Sequence, residues 1–148
     1  MADGVQVRPA DWACEQAAMT SLRTRVFVDE QGVTPEEEID GRDPECLHVV
    51  AATGDGHVIG TGRLLPEGRI GRMAVDRDWR GRGIGRALLD ALVALARQRG
   101  YSSVELHAQT HAMGFYEAAG FRAEGPEFED ARIPHRVMRR RLTDEAVE

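Results

Sequence analysis

Arg80-Gly81-Arg82-Gly83-Ile84-Gly85 stands between a heptad that reads as a buried strand, Arg69-Ile70-Gly71-Arg72-Met73-Ala74-Val75, and a stretch with helical period. Ile84, Leu88, Ala91, Leu92 and Leu95 recur at helical spacing, so a helix begins inside the glycine run. A glycine-rich turn that opens a helix presents backbone N–H groups without intrahelical partners, backed by the positive end of the helix dipole. Glycine lets that backbone approach an anion closely because no Cβ intervenes. Arg77, Arg80, Arg82 and Arg86 surround the turn. The combination predicts a cradle for a phosphate-bearing ligand.

Two familiar phosphate motifs fail here. A dinucleotide fingerprint requires G-x-G-x-x-G, and Arg86 occupies the third glycine position. A P-loop requires a lysine, and the chain contains none: all 19 of its basic residues are arginine. A tight turn whose glycines serve only the backbone leaves unexplained why three alternate amid four arginines.

What remains is R-x-x-G-x-G, carried by Arg80, Gly83 and Gly85, which resembles the acyl-CoA-binding signature of the GNAT superfamily of N-acetyltransferases. A second segment, Ala112-Met113-Gly114-Phe115-Tyr116-Glu117-Ala118-Ala119-Gly120-Phe121, is similar to the superfamily's A-x-x-F-Y-x-x-x-G-F element. The resemblance runs from about Val5 to Leu142. Phe27-Val28-Asp29-Glu30-Gln31, and Glu127-Phe128-Glu129-Asp130 with Ile133-Pro134-His135, resemble a small bacterial branch that includes ElaA-like and YjcF-like proteins.

The resemblance implies specific roles. Arg80, Gly81, Arg82, Gly83, Ile84, Gly85 and Arg86 would hold the pyrophosphate of acetyl-CoA, largely through backbone N–H groups. Met73, Ala74 and Val75 on the fourth strand would bind its pantetheine arm along a splay between the fourth and fifth strands. Gln109 stands where many members carry a cofactor-binding Asn. Tyr116 would be the general acid: a phenol with a pKa of about 10 is protonated at neutral pH and can donate to a leaving thiolate. The competing reading is a Tyr packed on the sheet, and Phe115 is expected to supply that core contact instead. Glu30, Glu129 and His135 would face the acceptor pocket. The strand-four Glu that serves many members as general base has no counterpart, since Arg69 and Arg72 stand on that strand. Glu30, Glu105, His107, His111 and His135 are the base candidates elsewhere.

Composition narrows the class further. At 148 residues the chain is read as one domain, residues 1–148, with room for a core. It has no apolar run of membrane-spanning length, and Met1-Ala2-Asp3-Gly4 lacks the basic start and apolar run of a signal peptide. Cys14 and Cys46 read as two reduced thiols, and a cytoplasmic location is expected. Cys46 and His48 have no further Cys/His pair at metal spacing, so no metal is expected. A net charge of -6 argues against nucleic acid as a partner. From Asp29 to Glu45 eight acids face a single base, Arg42. That run is either a solvated loop or a negative rim drawing in a cationic amine.

The expected order is a strand at Val5–Arg8, a helix to about Val28, and a short helix after Thr34-Pro35. Strands follow over Leu47–Thr53, His57–Leu65 and Gly68–Val75, then a helix over Ile84–Arg99 and a strand over Ser103–Ala108. A helix over His111–Ala119 precedes strands near Phe121–Glu124 and His135–Leu142, joined by a loop containing Gly125, Pro126 and Pro134. The fold class is therefore α/β (α+β): a GNAT-like mixed, centrally splayed sheet of six to seven strands flanked by about four helices. The expected function is transfer of acetyl from acetyl-CoA to a primary amine of a small molecule or peptide, by direct attack in a ternary complex. The alternative is a non-catalytic acyl-CoA sensor, and a homodimer is expected from the relatives.

Overall fold

The computed structural model describes residues 4–143. The Met1–Asp3 start, read above for targeting features, lies outside them. Seven strands form one mixed sheet: β1 (Gln6–Ala10), β2 (Leu47–Ala52), β3 (Val58–Leu64), β4 (Arg69–Val75), β5 (Ser103–Gln109), β6 (Arg122–Asp130) and β7 (Ile133–Arg141). Their order is β1-β2-β3-β4-β5-β7-β6. Only β4 and β5 run parallel, and a parallel pair needs a long crossover, which α3 (Ile84–Gln98) provides.

The remaining helices are α1 (Trp12–Arg23), α2 (Pro35–Glu38) and α4 (Met113–Ala118). Asp11 caps α1 by accepting from the Ala13 N–H at 3.0 Å. Thr34 and Glu37 form a capping box around Pro35 at the start of α2. The first helix was expected to run to about Val28. Instead α1 ends at Arg23 and continues as a π-helical segment, Thr24–Glu30.

Strand alternation sorts the core onto two faces. Val49 and Ala51 of β2, with Ile59 and Leu106, meet Leu88, Leu89 and Leu92 of α3. Val50, Val58 and Ala74 meet Met19 and Leu22 of α1 and Val26. Gly60 and Gly62 let α3 sit close to the sheet: a Cβ on Gly62 would lie 2.8 Å from Leu92 Cδ1, and one on Gly60 2.9 Å from Leu88 Cδ1.

β4 is the irregular strand. Ile70 packs on the α3 side and Ala74 on the α1 side, although four residues apart in one strand they should share a face. The parity flips at a bulge: Thr61 pairs with Ala74 and Arg63 with Gly71, so Arg72 and Met73 together oppose Gly62. Arg72 takes φ 50°, a left-handed conformation that a non-glycine residue adopts only when its surroundings hold it there. On its other side β4 pairs with β5 only at Arg69–Glu105 and Ile70–Leu106. Beyond these pairs the strands part, giving the central splay.

The C-terminal hairpin corrects an expectation. The segment read as a loop through Gly125, Pro126 and Pro134 is mostly strand, β6 and β7 being joined only by Ala131 and Arg132 at φ 51° and 68°. Two adjacent positive-φ residues form the kind of two-residue turn that suits a twisted hairpin. Gly125 and Pro126 fall in the register shift between Glu124 and Phe128, and Pro134 stands just past the last β5–β7 pair, Gln109–His135. Each loop-forming residue thus sits where the ladder is already interrupted.

Candidate active site

The glycine loop has the predicted geometry. Gly81 and Gly83 take φ 78° and 81°, and Gly83 is the N-cap of α3 with no side chain to cap it. The first-turn N–H groups are therefore left to a ligand or water. Gly85 serves packing: a Cβ there would stand 3.6 Å from the Phe115 ring. Most of the loop arginines have protein partners. Arg80 Nε donates to the Val75 carbonyl at 2.9 Å and its Nη1 meets Glu30 at 2.9 Å. Arg82 lies over the Trp79 ring at 4.8 Å, and Arg86 pairs with Asp90 at 3.0 Å.

The splay opens beside this loop. The Asp76 N–H donates to the Ile59 carbonyl on β3, so alternation aims the main-chain groups of Val75 the other way, into the gap. Met73 lines a cleft of about 450 Å³ that continues from the gap. Gln109, Tyr116 and His135 line the same cleft, joined by His107, His111, Asp130, Arg69 and Arg72. Glu30 is held against Arg80 and Glu129 is exposed on β6; neither lines this cleft.

Tyr116 and Phe115 exchange their expected places. Phe115 is 39% exposed, whereas Tyr116 packs against the core, edge-on to Phe121 at 6.2 Å. The reason is local: α4 spans only Met113–Ala118, and Phe121 just after it fills the core position, turning Phe115 out toward the glycine loop. Burial pushes the Tyr116 hydroxyl above its ordinary pKa, so the phenol stays protonated well beyond neutral pH.

The acidic run is neither a bare loop nor an open negative rim. Glu38 and Asp43 are buried, and both meet the buried guanidinium of Arg23, which is 2% exposed. Arg63 joins Asp43 at 2.9 Å and Asp40 at 2.5 Å, and Arg72 joins Glu38 at 3.2 Å. Burial alone would raise the Asp43 carboxyl, but Arg23 and Arg63 hold it below the usual range. Glu37 at the cleft edge is pulled down to about 2, first by Arg132 and then by the Thr34 N–H. Arg132 donates to Glu37 at 3.0 and 3.2 Å and to the Gly32 carbonyl at 3.3 Å, tying the β6–β7 turn to the segment around α2 at the edge of the cleft. Arg63 carries no motif, and the sequence reading gave no role in the site to Arg63, Arg72 or Asp130.

The base candidates separate by partner. Glu105 is held by Arg139 at 2.8 Å and Glu30 by Arg80. Gln109 donates to Gln31 at 3.0 Å, so its carbonyl oxygen accepts from His111 Nε2 at 2.6 Å. His107 is lowered by burial and stands edge-on to Phe128. His135 is buried and held from two sides. Among the described residues no group of three or more His, Cys, Asp or Glu could hold a metal ion, and no helix is long and apolar enough to cross a membrane.

A family model described as an acetyltransferase (GNAT) domain matches residues 14–142. YjcF of Bacillus subtilis, described as an uncharacterized N-acetyltransferase, is 39% identical over 121 residues, covering 79% of this chain and 86% of YjcF. An acyl-CoA N-acyltransferase from Pseudomonas aeruginosa is 32% identical with a TM-score of 0.81, over 92% of this chain and 99% of that one. Escherichia coli ElaA is 26% identical, also with a TM-score of 0.81, over 92% and 99% of the two chains. The chain is an acyltransferase belonging to the acetyltransferase (GNAT) domain family, and within that family it is similar to YjcF and ElaA.

Proposed function

We propose that this acyltransferase moves the acetyl group of acetyl-CoA to a primary amine of a small molecule or peptide, by direct attack in a ternary complex with Tyr116 as general acid. The observation that carries the reading is the uncapped, positive-φ start of α3 opening beside a strand gap, with a partly buried phenol on the wall of the adjoining cleft. The bound thioester supplies an activated acyl carbon and a sulfur leaving group. The N–H groups of Ile84, Gly85 and Arg86 face an anion with the helix dipole behind them. The Val75 N–H and the main chain of Met73 bind along the gap as an added strand would, the Val75 carbonyl being held by Arg80. One backbone N–H at the gap polarises the carbonyl, a role that needs no side chain. Tyr116 Oη gives its proton to the departing sulfur, and its burial keeps that proton in place until then.

The test follows free-thiol release from acetyl-CoA across polyamines, amino sugars, aminoglycosides, amino acids and short peptides, with Tyr116→Phe beside the wild type. Loss of the acid is expected to lower kcat by roughly a hundredfold or more while leaving acetyl-CoA binding intact. An unchanged kcat in Tyr116→Phe would remove the acid role. Tight acetyl-CoA binding without release on any amine would favour a sensor.

A further inference from the structure

β4 carries no carboxylate to deprotonate an amine, and its Arg69 and Arg72 cannot accept a proton. Arg72 donates to the Glu38 carbonyl at 3.0 Å and to its carboxylate at 3.2 Å, so this position is turned into the wall of the site. The acceptor amine, an ammonium at neutral pH, still has to lose a proton. Three histidines line the cleft, and they differ in what holds them.

His135 is 8% exposed and its Nδ1 lies 2.7 Å from the Ile133 carbonyl oxygen. A carbonyl can only accept, so Nδ1 carries the hydrogen and, in the neutral ring, Nε2 is bare. The ring is stacked on Phe128 at 5.8 Å with 23° between planes, which leaves it little freedom to turn. His135 pairs in register with Gln109, the last residue of β5, at the mouth of the strand gap. His107, by contrast, has no hydrogen bond that sets its tautomer among the described residues, and His111 is exposed with its Nε2–H spent on Gln109.

We infer that His135 is the general base of this enzyme, its Nδ1–H fixed on Ile133 so that Nε2 is presented to the acceptor amine. This rests on the acyl-transfer reading above. Nε2 takes one proton from the ammonium and passes it to solvent, exposing the nitrogen lone pair. As the new N–C bond forms and the C–S bond breaks with its electron pair on sulfur, the second amine proton goes to the same Nε2. Tyr116 Oη protonates the sulfur and regains its proton through solvent. The charged and titratable groups that line the cleft with His135 are Arg63 from β3, Arg69 and Arg72 from β4, His107 from β5, Asp130 from β6, Glu37 and Glu38 from α2 with Asp40 after it, His111 before α4, and Tyr116. Glu37 is paired with Arg132, Glu38 with Arg23 and Arg72, and Asp40 with Arg63.

His135→Asn keeps an amide N–H where Nδ1 stands and removes the base. With the full chain, the dissociation constant for acetyl-CoA is expected to stay within about twofold of wild type, whereas kcat/KM for a turned-over amine falls by about 10²-fold at pH 7. That deficit shrinks as the pH approaches the amine's own pKa, where the acceptor arrives neutral. No loss, a loss equal at every pH from 6 to 9.5, or a weakened acetyl-CoA affinity would each overturn the proposal. An independent measurement needs neither acceptor nor variant. Side-chain ¹⁵N NMR of wild type is expected to show neutral His135 as the Nδ1–H tautomer, and the Nε2–H tautomer would overturn the assignment even if His135→Asn failed to fold. Failure of the acyl-transfer reading itself looks different: wild type would not bind acetyl-CoA, or would bind it and release no thiol with any amine.

Discussion

Asp43→Ala tests whether the acidic run is structural. Asp43 is 5% exposed and accepts from Arg23 Nη1 at 2.8 Å, Arg23 Nη2 at 3.1 Å and Arg63 Nη1 at 2.9 Å. Removing it leaves Arg23, Arg63 and Arg72 on Glu38 and Asp40, three guanidinium groups sharing two carboxylates. Breaking a buried pair from one side costs about 3–5 kcal/mol, because the stranded charge keeps its desolvation penalty. A domain of this size is stable by roughly 5–15 kcal/mol, so the variant should remain folded at 25 °C but with a thin margin. The corresponding fall in Tm is on the order of 10 °C. Urea unfolding at pH 7, followed by circular dichroism, reads the difference directly. Glu36→Ala is the control: it lies in the same acidic run but is exposed, and should shift stability by less than about 0.5 kcal/mol. An Asp43→Ala loss below about 1 kcal/mol would refute the reasoning, since it would mean the pairs behave as exposed ones.

Two further outcomes follow from packing and titration. Gly62→Val is expected to lower the urea midpoint by an amount equivalent to about 1–3 kcal/mol, because its Cβ meets Leu92 Cδ1 at 2.8 Å and Met73 Cγ at 3.3 Å; a neutral result would mean that α3 shifts freely on the sheet. Stability should hold above about pH 5 and decline as pH falls below about 4. Burial opposes the charge on Asp40 and Asp43, but Arg63 and Arg23 outweigh it, and Glu37 is held at about 2 by Arg132 and Thr34. Carboxyls depressed in the folded state take up protons more readily when unfolded, so acid favours unfolding; a Tm unchanged between pH 7 and pH 3 would contradict this.

The loop at Arg80–Gly85, the start of α3 and the Thr34 cap of α2 were legible in the chain because each depends on residues within a turn of one another. Gly83 needs positive φ, Thr34 finds Glu37 three positions on, and Ile84, Leu88 and Leu92 mark one helix face. The length of the β6–β7 hairpin was not legible, since its Gly and Pro residues signal loops and their tolerance depends on where neighbouring strands end. The outward turn of Phe115 was hidden for a similar reason: Phe121 claims the core position only once the helix and strand are packed.

The chemistry of the site divides along the same line. Amino-acid order alone determined that a glycine-rich turn precedes a helix and that Tyr116 follows β5, because backbone conformation and periodicity are set by near neighbours. Only the tertiary structure decided that Glu38, Asp40 and Asp43 are neutralised by Arg23, Arg63 and Arg72, that β4 bulges at Arg72, and that His135 is stacked on Phe128 beside the end of β5. Whether a charge is paired, and whether a ring nitrogen is bare and buried, depends on partners brought together through space, often far apart along the chain.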